Sequence, residues 1–121
     1  MSVINCKVEH IRKDGYADLK AWCANPQNTY VGRAGVVFVK EGDTKQRYPK
    51  QSSSFCNPFK VGKDGTREEV IAKFRAYMDA RLQSEPALRD EFQTLKGKCL
   101  GCWCKPDACH ADVLVELMSK Y

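Results

Sequence analysis

Between Cys99 and Asp112 the chain gathers the side chains best suited to chemistry: Cys99, Cys102, Cys104, Cys109, His110 and Asp112. Thiolate and imidazole are the preferred ligands of zinc and other soft metals. A thiol beside an imidazole can also act as a nucleophile with its own proton carrier. The residues around this segment predict a strand over Lys98–Cys104, a turn at Lys105-Pro106, and a final helix capped by Asp107. Residues two apart in a strand share a face, so Cys102 and Cys104 point one way, and Cys99 and Trp103 the other. Cys109 and His110 then fall in the first turn of the helix, whose unpaired amides favour negative charge and ease thiol ionisation.

Three readings stay open for this segment. In the first, Cys102, Cys104, Cys109 and His110 hold Zn²⁺. The spacing is not a standard zinc pattern: Cys99 and Cys102 form a CxxC pair, but the second pair is the adjacent Cys109-His110, and neighbours seldom ligate one ion together. In the second, Cys109 (or Cys104) is a thiolate, His110 the acid or base, and Asp112 the group that orients it, with a phosphate or carboxylate bound at the helix start. In the third, the cysteines are small apolar core residues and His110 only helps to cap the helix.

Other polar candidates lie upstream. Gly32-Arg33 ends a short predicted strand, and its guanidinium can present a fork of donors to a phosphate. Asn57 precedes Pro58 in a long loop, where an amide either shapes the turn or contacts a ligand. Gly62-Lys63-Asp64-Gly65-Thr66 lacks the Gly-Lys-Thr order of a phosphate loop and is not one. Trp22 and Trp103 read as core residues, and His10 is isolated.

The elements that must position these residues follow from periodicity. Val3–Val8 alternates as a first strand, and Ala17–Trp22 suits a short helix ended by the turn at Asn25-Pro26. Thr29–Val31 and Val36–Val39 read as strands. From Thr44 to Lys63 the pattern dissolves into a polar loop, long enough to suggest function. Thr66-Arg67-Glu68-Glu69 is a capping box for a helix that places Val70, Ile71, Phe74, Tyr77 and Met78 on one face. A shorter helix opens at Ser84 and Pro86 and ends before Gly97. Val113, Leu114, Leu117 and Met118 make the inner stripe of the last helix. The expected fold is therefore α/β: residues 1–121 as a single compact domain, with a small mixed or parallel sheet and helices packed on it in a Rossmann-like three-layer arrangement.

Composition narrows the class. The chain has 121 residues, of which 43% are hydrophobic, an ordinary globular balance. It carries no apolar run near the roughly 20 residues that span a bilayer. Its first residues lack the pattern of a secretion signal. Seven cysteines, an odd number, fit a reducing cytoplasmic setting better than a disulfide framework, and no membrane partner is expected. The net charge of +5 is spread among acids, so it attracts phosphate-bearing partners only weakly.

The succession Tyr30-Val31-Gly32-Arg33, Asn57-Pro58-Phe59, Gly65-Thr66-Arg67-Glu68-Glu69-Val70-Ile71, Leu95-Lys96-Gly97-Lys98, Cys102-Trp103-Cys104-Lys105-Pro106 and Cys109-His110-Ala111-Asp112-Val113-Leu114 resembles the Domain of Unknown Function 4326 family of bacteria, phages and large viruses. Ala111 departs from the pattern, where glycine is expected to be common. The resemblance implies that Gly32, Arg33, Asn57, Cys102, Cys104, Cys109, His110 and Asp112 form one site, and it supplies no reaction. The Cys-x-Cys turn and Cys-His helix start are also similar to those of Domain of Unknown Function 488, an analogy of fold alone. The leading expectation is a ligand site for a phosphate-bearing molecule, a nucleotide or nucleic-acid component. The alternative is a zinc-stabilised module that binds nucleic acid or a protein partner.

Overall fold

The computed structural model describes residues 2–103 and 108–121. Three strands, β1 (Ser2–Asn5), β2 (Asn28–Tyr30) and β5 (Cys99–Cys102), form a parallel sheet in the order β1-β5-β2. The last strand of the chain is thus the central one. Ser2 pairs with Cys99 on one side of it and Asn28 with Cys99 on the other. A parallel sheet needs both faces covered, and both are.

On one face, Leu100 and Cys102 join a core built with α3 (Arg67–Ser84), α4 (Pro86–Gln93) and α5 (His110–Met118). Phe74, Met78, Leu82 and Leu114 fill it. On the other face, Cys6, Ile11, Leu19, Trp22 and Tyr30 form a smaller core with α1 (Val8–Ile11) and α2 (Leu19–Ala24). Cys99 and Trp103 pack on this second core, as the two-residue period of the strand requires. The expected three-layer α/β arrangement is the one found, with a parallel rather than mixed sheet. A separate antiparallel hairpin, β3 (Val37–Glu41) and β4 (Thr44–Tyr48), stands beside it.

Four boundaries differ from the sequence expectation. The first strand stops at Asn5, because its side-chain oxygen accepts the Lys7 amide at 2.9 Å and turns the chain into α1. Thr44–Tyr48 is a strand, not loop: it has no hydrophobic alternation and takes its order from pairing with β3. The short helix begins at Leu19, capped by Asp18, which accepts the Ala21 amide at 2.8 Å. The last helix is capped at Cys109 rather than Asp107, a residue outside the described ones. The box at Thr66 and Glu69 forms as read, with each side chain bonded to the other's backbone amide.

Candidate functional site

Strand β2 runs into Val31, Gly32 and Arg33 at the carboxyl end of the sheet, and β5 ends nearby at Cys102 and Trp103. Gly32 is required there by crowding: a Cβ would collide with the Tyr30 ring and its hydroxyl. That hydroxyl donates to the Arg33 carbonyl at 2.9 Å and accepts from Trp103 Nε1 at 2.8 Å, tying the two strand ends together. Burial pushes the Tyr30 phenol up to about 12, so it stays neutral.

Arg33 reaches across to the long loop. Its Nε and Nη2 donate to the Asn57 carbonyl at 3.2 and 2.7 Å, and Nη2 donates also to the Phe59 carbonyl at 3.1 Å. Asn57 itself shapes the turn, its Oδ1 accepting the Phe59 amide at 2.9 Å and its Nδ2 directed at the Val70 carbonyl. Of the two sequence readings of Asn57, the turn-forming one describes these bonds.

Cys109 stands at the start of α5, and Asp112 Oδ2 accepts its backbone amide at 3.1 Å. Asp112 therefore serves the helix start. Cys109 and Cys102 are both buried, with their sulfurs 2.9 Å apart. The ease of ionisation expected from the helix start meets an opposing environment at Cys109. The Cys102 contact and burial drive its thiol far above the ordinary range, and amides of Ala111 and Asp112 oppose this only in part. Sequence spacing showed the helix start but not the second sulfur or the closed packing around it.

The His110 and Phe74 rings meet edge to face, with centroids 5.2 Å apart, and His110 Nε2 lies 2.7 Å from the Val31 carbonyl. A carbonyl only accepts, so Nε2 carries the proton and Nδ1 is the basic nitrogen of the neutral ring. Burial lowers the His110 pKa, and Arg33 adds to this, against the Val31 bond and Asp112.

These groups surround a cleft of about 470 Å³. Gly32, Arg33, Asn57, Cys102, Cys109 and His110 all line it. Cys104 lies outside the described residues, and Asp112 is not in the lining. Sequence reasoning missed much of the rest. Lys60 and Val61 come from the loop after Phe59, and Arg67 from the first turn of α3, its Nη1 directed at the Ala108 carbonyl. Trp103, expected in the core, is only half-buried and forms part of the wall with Phe59 and Ile71. The position of Arg67 beside the capping Thr66 was a readable signal; the inward course of Lys60 was not.

Three cations, Arg33, Lys60 and Arg67, thus face a cleft to which no carboxylate contributes among the described residues. The rings of Phe59 and Trp103, and Cys109 and His110 at the start of α5, complete it. Among the described residues, no three His, Cys, Asp or Glu side chains are grouped to hold a metal ion. The Nε2 of His110 is committed to Val31 rather than to the sulfurs. No described helix is long and apolar enough to cross a membrane.

The fold is that of an α/β protein with a cleft at the carboxyl end of its parallel strands, the usual ligand position in open α/β sheets. The chain belongs to the family described as Domain of unknown function (DUF4326), which it matches over residues 12–120. It is also similar to the "Uncharacterized 12.4 kDa protein in nrdA-td intergenic region" of Enterobacteria phage T4, at 36% identity over 61 residues. That match takes in 50% of this chain and 56% of the relative, so the chain spans only about half the length of the curated protein. No solved structure matches the chain.

Proposed function

We propose that the cleft at the end of the parallel sheet binds a phosphate-bearing ligand, a nucleotide or a nucleic-acid component. The observation that carries this reading is the lining: Arg33, Lys60 and Arg67 without an opposing carboxylate among the described residues. A cation-lined cleft with partly apolar walls strengthens its attraction for an anion by excluding water. Phe59 and Trp103 offer rings against which a base can lie.

The roles of the individual groups follow from their bonds. Arg33 braces the loop through Asn57 and Phe59 with Nε and Nη2, which leaves Nη1 for the anion. Lys60 and Arg67 supply charge from opposite ends of the loop between them. His110 offers a neutral acceptor at Nδ1, suited to a ligand hydroxyl or to a proton in transfer. Cys109 is a neutral thiol that packs the floor against Cys102, and the reading does not use it as a resting thiolate.

Calorimetric titration with ADP and with inorganic phosphate tests this. Wild-type protein should bind ADP more tightly than phosphate, and Lys60→Ala with Arg67→Ala should weaken ADP at least tenfold without lowering the melting temperature by more than a few degrees. Equal ADP binding by wild type and the double variant would refute the reading. Arg33→Ala is a poorer probe because it releases two loop carbonyls.

A further inference from the structure

The β3–β4 hairpin carries a surface that the core does not explain. Val37 is half-buried and Val39 is buried, so the alternate residues Phe38 and Lys40 face outward. Register places Arg47 directly opposite Phe38, and Lys45 directly opposite Lys40. One face of the hairpin therefore presents one aromatic ring and three cations. Phe38 is 61% exposed, and the Arg47 guanidinium lies over its ring at 4.9 Å.

Such a face works against the hairpin itself. Like charges directly opposite in an antiparallel pair destabilise it, and a large ring left mostly in water contributes little to folding. Both costs are recovered when an anionic, flat-faced partner covers the strands. The face is also continuous with the cleft: Val36, two residues before Phe38, is 42% exposed and lines it. At the same end, Arg47 Nη1 donates at 3.0 Å to the carbonyl of Gly35, the residue before Val36. Val61, 56% exposed, forms part of the same rim.

From this we infer that the outer face of the hairpin binds a single-stranded nucleic acid and leads it to the cleft. Lys40, Lys45 and Arg47 contact successive phosphates, and an unpaired base stacks on Phe38 beside Arg47. This combination of a basic track and an exposed ring is the chemistry of single-strand binding, where every base offers a face to stack on. A duplex buries those faces and gains only the charge. The inference deepens the reading of the cleft by naming a strand as the source of its phosphate, and the two are separable by experiment.

Fluorescence anisotropy with labelled oligodeoxythymidine and oligouridine of about 15 bases, within the span of single-strand sites, provides the test. The Lys40→Glu, Lys45→Glu double variant should bind at least tenfold more weakly than wild type, and Phe38→Ala about fivefold or more. Replacing the two lysines should also reduce the slope of log K against log salt by about 1.4, at about 0.7 for each phosphate the protein no longer neutralises. Unchanged melting curves would show that these exposed substitutions leave the fold intact. Unaltered oligonucleotide affinity in both variants would overturn the inference, even if ADP still binds the cleft. So would equal affinity for a duplex of the same length, or preferential binding to phosphatidylserine vesicles. Oligonucleotide binding that falls in the hairpin variants, in a protein that does not bind ADP, would uphold the hairpin and refute the mononucleotide reading of the cleft.

Discussion

The two faces of strand β5 use the same residue types for opposite ends. Toward α1 and α2, Gly101 lets Cys6 and Trp22 press directly on the strand, and burial drives the Cys6 thiol well above its ordinary pKa. Toward α3 and α5, Leu100 and Cys102 pack a larger core, but its edge stays open as the cleft between Cys102, Cys109 and Arg33. The rear layer is closed by contact, whereas the front layer holds a space open with braced polar groups. Cysteine thus marks packing on one side and the wall of a candidate site on the other, and residue type alone does not distinguish them.

The largest effect is expected from Gly101→Val. A Cβ there would collide with Cys6 Sγ and stand 2.7 Å from Trp22, so the variant should lose about 3 kcal/mol in denaturant unfolding, as overpacked cores do. A loss under about 1 kcal/mol would mean that the rear layer is looser than described. Next in size, Cys102→Ala with Cys109→Ala should cost about 2 kcal/mol by removing two buried sulfurs. In the wild-type chain, both thiols should react with a disulfide reagent far more slowly than Cys23 and Cys56, which are only half-buried. Rapid labelling of Cys109, read by peptide mass spectrometry, would return it to the role of a reactive thiol.

Helix caps offer a matched pair. Thr66→Ala in the front layer and Asp18→Ala in the rear should each cost about 1 kcal/mol, since each removes one bond to a helix-start amide. A clear excess at Thr66 would show that the cleft wall depends on α3 more than the rear core depends on α2.

The gentlest effect is on pH dependence. The His110 pKa is lowered in the folded chain, so unfolded chains bind the extra proton first as pH falls below the ordinary value of about 6.5. Stability should be intact above that value and decline on acidification toward the folded pKa, and His110→Asn should flatten this limb. The raised thiols, Cys6 at the rear and Cys109 at the front, act in the other direction. Their contribution is complete below the ordinary thiol pKa of 9.0 and is lost as pH rises above it. Thermal melts from pH 5 to pH 10 report both limbs, and an acid limb that survives in His110→Asn would remove His110 as its source.

Much of the frame was readable in the chain. The Thr66–Glu69 box set the start of α3, because the two side chains and the amides they satisfy lie within one turn. The strand period separated Cys102 from Cys99 and Trp103, since alternation is a local property of extended backbone. Family motifs drew attention to Gly32, Arg33, Asn57, Cys109 and His110, and all of them line the cleft. What the chain could not state was every relation across long separations. Strand Thr44–Tyr48 has no pattern of its own and exists by pairing with β3. The Cys109 thiol is raised by a sulfur on another element, although its own helix start favours ionisation. Arg33 commits Nε and Nη2 to a loop far along the chain, and Lys60 reaches the cleft by the course of that loop. Local geometry follows from neighbouring residues, but charge, burial and ionisation depend on what folding brings alongside, and only the tertiary structure decides that.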